Sequence, residues 1–205
     1  LARLPDGQRQ LVRGPAISAR HPYAPEVGAV LSRVGKVAAA TTAAALIERF
    51  GVDRIVFTGT AGGLAEGVRV GDLVVADAFM QHDMDASPLF PRFEVPLYGQ
   101  SRFAVDAGLS QALAQAARSA VAAPMVTLGA DAVAEFGLGA PRVHQGLIVS
   151  GDRFVATSAE GAALRAALPD ALAVEMEGAA VAQVCHDYGL PVAAVRTVSD
   201  RADDA

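Results

Sequence analysis

The sequence predicts an α/β protein, a three-layer α/β/α sandwich around a mixed, largely parallel central sheet. Short β-branched runs alternate with helix-length, alanine-rich segments along most of the chain. A run such as "DRIVFTG" is of the kind buried in a parallel sheet. No internal repeat or long linker divides the 205 residues, a length that suits one domain of the larger kind.

Taken in order, "AISARHPYAPEVGAVLSRVG" contains a short strand at Val27–Leu31, ended by the Gly35 turn. "KVAAATTAAALIERFG" reads as a helix, with Leu46, Ile47 and Phe50 spaced for a buried stripe and Gly51 as its stop. "DRIVFTG" is a strand, and after a glycine loop a Gly-Asp turn opens the next strand, "GDLVVADAFM". "DASPLFPRFEVPLYGQ" is loop-like, with three prolines and several exposed-looking apolar residues. Helix "DAGLSQALAQAARSAV" and strand "RVHQGLIVSGD" follow, then helix "SAEGAALRAALP", whose Ser158 and Glu160 suit a first turn. Strand "ALAVEM", helix "EGAAVAQVCHDYG" and strand "PVAAVRTVSD" complete the series.

Composition narrows the function classes. Hydrophobic residues make up 52% and charged residues 19%, ample for a core and poor for disorder. A net charge of −5 gives no basic footprint for nucleic acid or an anionic membrane surface. Cys185, the single cysteine, cannot form an internal disulfide and suits a reducing compartment. No apolar run reaches bilayer length and no signal-peptide pattern opens the chain. The expectation is a soluble, cytoplasmic protein. His82 and Asp83 suggest a metal pair, but no further ligands have suitable spacing, so no metal is expected and the two read as interface or loop hydrogen-bonding residues.

In folds of this class chemistry collects at the carboxyl ends of strands. Four such ends carry informative residues: "TGTAGGL", "SGDRF", "EMEG" and "SD". Each alone reads as a turn or a helix cap. "EMEG" raises the sharpest question, because Glu175 and Glu177 sit in an otherwise small, apolar segment and buried carboxylates are costly unless paired or used. Either the strand continues through both, placing them on one face, or a helix begins near Glu177 and its dipole helps keep that carboxylate ionised.

The order "VGKVAAA", "TGTAGGL…GDLVVAD", "HDMDAS", "GLIVSGDRF", "VEMEGAAVAQVC", "PVAAVRTVSD", with its spacings, resembles the 5′-methylthioadenosine/S-adenosylhomocysteine nucleosidases of the purine nucleoside phosphorylase superfamily. The likeness covers most of the chain, from about Ser32 to Asp204. It implies a purine nucleoside phosphorylase-like fold, an adenine nucleoside as ligand, a homodimer, and hydrolysis without a cofactor.

Breaking an N-glycosidic bond to adenine builds positive charge on the ribose and negative charge on the base, so an acid must protonate the purine at N7. The resemblance assigns that acid to Asp200, placed by Ser199. It gives Glu177 the two ribose hydroxyls and packs Met176 on the sugar. Glu175 supports the site, paired with backbone or with Arg196. Phe154 stacks on adenine, and the backbone after it, at Val155, meets the base edge. Thr60 and Gly62 lie against the ribose and the water. Arg196 either stands near the water or serves only in an ion pair with Glu175.

Phosphorylases of the superfamily typically carry an arginine in the strand before the glycine loop, because a phosphate dianion needs fixed cationic donors. Phe57 stands there instead, which argues for water as nucleophile. The water-activating glutamate of the family belongs to a strand expected before Leu1, and Glu26 sits in the wrong context to replace it. A further helix is expected beyond Asp200. The resemblance also places Val34, Ala86 and Leu89 where one subunit closes the 5′ pocket of the other. An apolar pocket there suits a methylthio group. Three alternatives stay open: a hydrolase of an aminodeoxyfutalosine-type nucleoside, a phosphorylase, and a non-catalytic nucleoside-binding protein.

Overall fold

The helix α1 (Lys36–Phe50) is the first element of a computed structural model that describes residues 30–122, 129–135 and 140–202. The chain divides into two compact units, Leu1–Val34 and Gly35–Ala205. Every element below belongs to the second. The strand expected at Val27–Leu31 lies partly outside the described residues, and Val30 and Leu31 form no strand. Gly51 ends α1 at φ 59°, in the left-handed region, as expected of a glycine stop. The buried side of α1 is Ala39, Thr42 and Ala43; the expected stripe of Leu46, Ile47 and Phe50 is half-buried, with Ile47 packed against the same cluster. Small residues suit that side because α1 packs closely against Ala180, Val181 and Cys185 of α5 (Gly178–Tyr188).

The strands are β1 (Ile55–Gly63), β2 (Leu73–Gln81), β3 (Arg102–Ala104), β4 (Val143–Ser150), β5 (Ala171–Glu175) and β6 (Val192–Asp200). They pair in the order β3-β2-β4-β5-β1-β6, and β2 also pairs with β6. One edge of β2 is shared: Leu73–Val75 pairs with β6 and Ala78–Met80 with β3. The path β2–β4–β5–β1–β6 therefore returns to its starting strand. The sheet is mixed, and its two longest ladders, β1–β6 and β2–β4, are parallel, as the sequence predicts. Register shifts at Ala61/Gly62, Ala76/Ala78 and Leu147/Ile148 supply the local bends and extra twist that closure needs.

One core cluster joins Phe79 of β2, Ile148 of β4, Ala173 of β5, Ala61 of β1 and Val198 of β6 to Ala179 and Ala182 of α5. Gly178 makes that approach possible, since a Cβ there would lie 2.1 Å from Phe79 Cε1. Helix α2 (Ala107–Ala122) packs Leu113, Ala114 and Ala117 on Val75 and Val195. Helix α4 (Ser158–Ala167) lies over β4 and β5 through Leu164, with Leu168 just beyond its end. Its cap is Thr157, one residue before Ser158, and Glu160 returns a bond to the Ala156 N–H at 3.2 Å. The short α3 (Ala130–Glu135) and the three-residue β3 have no counterpart among the expected elements.

The segment 82–101 is irregular, as three prolines require. Only part of its apolar surface is open. Val95 is buried, and Tyr98 packs edge-on against Phe103 at 5.6 Å while its hydroxyl donates to Asp187 at 2.8 Å. Leu89 and Leu97 stay outside, 84% and 90% exposed.

Candidate active site

Parallel pairing sets Ser150, the last residue of β4, beside Glu175, the last of β5. After Glu175 the chain turns into α5, and the Glu175 carboxylate folds back over the helix start. It accepts the N–H of Glu177 at 3.1 Å and that of Gly178 at 2.8 Å. Ser150 Oγ donates to the same carboxylate and accepts the Ala179 N–H at 2.7 Å. Arg196 closes the arrangement with a buried ion pair to Glu175. Thus Glu175 is a buried anion satisfied by a helix N-terminus, a hydroxyl and a guanidinium. The ion pair expected between Arg196 and Glu175 is present.

Arg196 is itself 1% exposed. Its guanidinium carbon lies 4.1 Å from the centre of the Phe57 ring, a cation–π contact. Gly59 makes room for it, because a Cβ there would lie 2.6 Å from Nη1. Phe57, which stands where the phosphorylase arginine is expected, faces this guanidinium instead.

Glu177 behaves differently from its neighbour. It occupies the N-cap of α5 without a side-chain capping bond, because Glu175 already takes the first amides. Its Oε1 accepts the Gly35 N–H at 2.9 Å. Half-burial pushes the Glu177 carboxyl above the ordinary glutamate range; the Gly35 N–H opposes that shift and the Glu175 charge reinforces it. The helix begins at Gly178, so Glu177 stands at its N-terminus as expected, while Glu175 takes the first backbone amides. Met176, between the two, is half-buried.

Asp200 ends β6 opposite Gly62 of β1. Its Oδ2 accepts the Ser199 hydroxyl at 2.8 Å and its Oδ1 accepts the Ala202 N–H at 2.8 Å. Gly62 is the close neighbour, since a Cβ there would lie 2.9 Å from Asp200 Oδ1. The glycine thus admits the acid as well as any ligand. Thr60 is exposed on the same strand.

Phe154 is 62% exposed, which fits a platform and not a core residue, while Val155 packs inward on the cluster of Met80 and Val149. Ala86 is half-buried in the 82–101 segment, Leu89 projects from it, and Val34 lies in the other unit, 72% exposed.

Several residues that shape the site were not expected to. Lys36 Nζ donates to Asp83 Oδ1 at 2.6 Å and to Gln81 Oε1 at 3.0 Å. Asp83 Oδ2 accepts the Asp152 N–H at 2.9 Å, as a loop hydrogen-bonding residue would. His82 covers Gly151, where a Cβ would meet its ring at 2.3 Å. "VGK" and "HD" were visible as motifs, but nothing local in them pairs Lys36 with Asp83.

A family model described as the phosphorylase superfamily matches residues 9–205. A 5′-methylthioadenosine/S-adenosylhomocysteine nucleosidase of Shewanella denitrificans is 36% identical over 175 residues, 84% of this chain and 67% of that protein. The nucleosidase of the same name from Neisseria meningitidis, solved with methylthio-immucillin-A, superposes with a TM-score of 0.72 at 41% identity, covering 85% of this chain and 68% of that one. A futalosine hydrolase from Helicobacter pylori superposes at 0.70 with 32% identity, covering 88% and 69%. The chain belongs to the 5′-methylthioadenosine/S-adenosylhomocysteine nucleosidase family of the phosphorylase superfamily.

Proposed function

We propose that this protein hydrolyses the N-glycosidic bond of 5′-thioadenosine nucleosides, methylthioadenosine and S-adenosylhomocysteine, to adenine and a thioribose. The carrying observation is the division of labour between two glutamates. Glu175 is fully committed to Arg196, Ser150 and the start of α5, whereas Glu177 is half-buried and accepts the Gly35 N–H. A carboxylate so placed accepts hydrogen bonds from vicinal hydroxyls and stabilises positive charge developing on the ribose. Met176 packs on the sugar, and Thr60 and Gly62 lie against the ribose and the water.

Asp200 is the general acid. Ser199 suits this role because a hydroxyl both donates and accepts, so it serves the protonated carboxyl before transfer and the carboxylate after it. Phe154 stacks on the leaving base and the Val155 backbone meets its edge. Water is the nucleophile. A phosphate dianion would need fixed cationic donors, and the buried guanidinium here is neutralised by Glu175 and faced by Phe57. The reaction calls on no cofactor or metal.

We read the chain as one nucleosidase domain of three-layer α/β/α architecture that works as a cytoplasmic homodimer in the recycling of sulfur nucleosides for methionine salvage. The exposed Leu89 and the expected positions of Val34 and Ala86 support a partner-closed 5′ pocket. No described helix is long and apolar enough to cross a membrane. A second reading, hydrolysis of an aminodeoxyfutalosine-type nucleoside, has the Helicobacter pylori futalosine hydrolase likeness behind it and differs only at that pocket. Rates on a panel of 5′-substituted adenosines test the choice. We expect methylthioadenosine and S-adenosylhomocysteine to lead; a preference for the futalosine-type compound would replace the first reading with the second.

A further inference from the structure

We propose that Lys36 is a positioning residue that sets the sugar acceptor and the base platform together, through one ion-paired network. It rests on the nucleosidase reading of the site. Lys36 is the first residue of α1, and its side chain is only 16% exposed. The ammonium reaches Asp83 and Gln81 at the end of β2, and lies 3.8 Å from Asp152 Oδ2 in the loop after β4. The Lys36 backbone N–H donates to Asp152 Oδ1 at 2.8 Å. Asp83 bridges the two, taking the ammonium on one oxygen and the Asp152 N–H on the other. Gln81 carries the network on to Gln183 of α5 at 2.8 Å.

Both ends of this network stop at a proposed substrate group. One residue before Lys36, the Gly35 N–H is the bond that holds Glu177. Gly35 sits at φ 94°, and a Cβ there would lie 3.2 Å from Asp152 Oδ1, so the glycine allows α1 to start against the loop. Two residues after Asp152 comes Phe154, whose exposed ring has little packing of its own to fix it. The Asp152 bonds, the bond from Arg153 to Glu160 and the inward packing of Val155 fix the loop from which it projects. Burial works to raise the Asp83 carboxyl, but the Lys36 ammonium and the Asp152 N–H outweigh it and hold the group below the ordinary aspartate range. Without the ammonium, Asp83 and Asp152 would face each other as unrelieved like charges.

Lys36 acts on the groups that bind sugar and base and not on the acid Asp200, so its loss falls chiefly on KM. It touches kcat only as far as the hold of Glu177 on the developing ribose charge loosens. The test uses the full-length protein with methylthioadenosine, with free adenine as a second ligand. Lys36→Met should raise KM about tenfold, the order expected of a partly buried charged bond acting at one remove. The adenine Kd should rise with it, while kcat stays within about threefold. Lys36→Arg, which keeps charge and donors, should recover most of both. Asp83→Asn should raise KM in the same direction, and carries the test if Lys36→Met does not fold. A lowered Tm with unchanged KM and adenine affinity would make the network merely structural and overturn the proposal. A KM effect in Lys36→Met that Asp83→Asn does not share would also overturn it, by making Lys36 a direct contact. A wild-type protein that neither releases nor binds adenine would remove the nucleosidase reading itself, and this inference with it.

Discussion

Replacing Glu177 by glutamine disturbs the site least and asks the most of it. Glutamine keeps the volume and an oxygen for the Gly35 N–H, now 2.9 Å from Oε1; only the charge is lost. Two effects of opposite sign follow. A charged acceptor bond is worth about 1.5–3 kcal/mol. At about 1.4 kcal/mol per factor of ten, affinity for an uncleavable methylthioadenosine analogue should fall roughly 10- to 150-fold. Discrimination against the 2′-deoxy analogue should narrow as well, because the group that senses the hydroxyl is gone.

Stability should move the other way. Burial pushes the Glu177 carboxyl up, so the folded chain holds that proton more tightly than the unfolded chain does. The stability this group contributes is complete below the ordinary glutamate range and is lost as pH rises through the raised folded value. At pH 7 the half-buried charge is therefore a cost, and the glutamine variant should melt at or above the wild-type temperature. Its advantage should shrink as pH falls into the ordinary glutamate range. Titration calorimetry with both analogues, beside melting curves across that pH span, reads both effects. A variant that melts lower at pH 7 and keeps full 2′-hydroxyl discrimination would refute the assignment and make Glu177 structural.

Asp200→Asn should cut turnover by about two to four powers of ten, the usual span of general acid catalysis, with much less effect on binding. Near-normal adenine release by that variant would remove Asp200 from its role. Arg196→Met should destabilise the fold by about 3–5 kcal/mol, because it strands the buried Glu175 carboxylate; denaturant unfolding measures it, and a loss under 1 kcal/mol would contradict the buried pair. Leu89→Asp should weaken a dimer and, with it, activity toward apolar 5′-thio substrates. Sedimentation and activity over one dilution series check this coupling, and a fully active monomer would sink it.

Most regular elements were legible because their signals are local. Alanine-rich segments with a terminal glycine gave α1 and α5, and short β-branched runs gave β1, β2, β4, β5 and β6. β3 was not legible, since three residues are too few to show a period. Return of the sheet from β6 to β2 is a long-range pairing with no local mark. In the site, Asp200, Ser199 and Glu177 stood out by the order of strand ends, and the pairing of Glu175 with Arg196 was one of two readings. Pairing of Glu175 with neighbouring backbone was also expected, but which amides it takes depends on the sharp turn after Glu175, which has no local mark. The Lys36–Asp83–Asp152 network joins positions more than a hundred residues apart, and only the fold brings them together.

The most direct test of the account follows methylthioadenosine and the full-length protein with and without phosphate, resolving both products. Hydrolysis predicts adenine and free methylthioribose in equal amounts, at a rate that phosphate leaves unchanged. Turnover that requires phosphate and yields the sugar 1-phosphate, or no adenine under either condition, would contradict it.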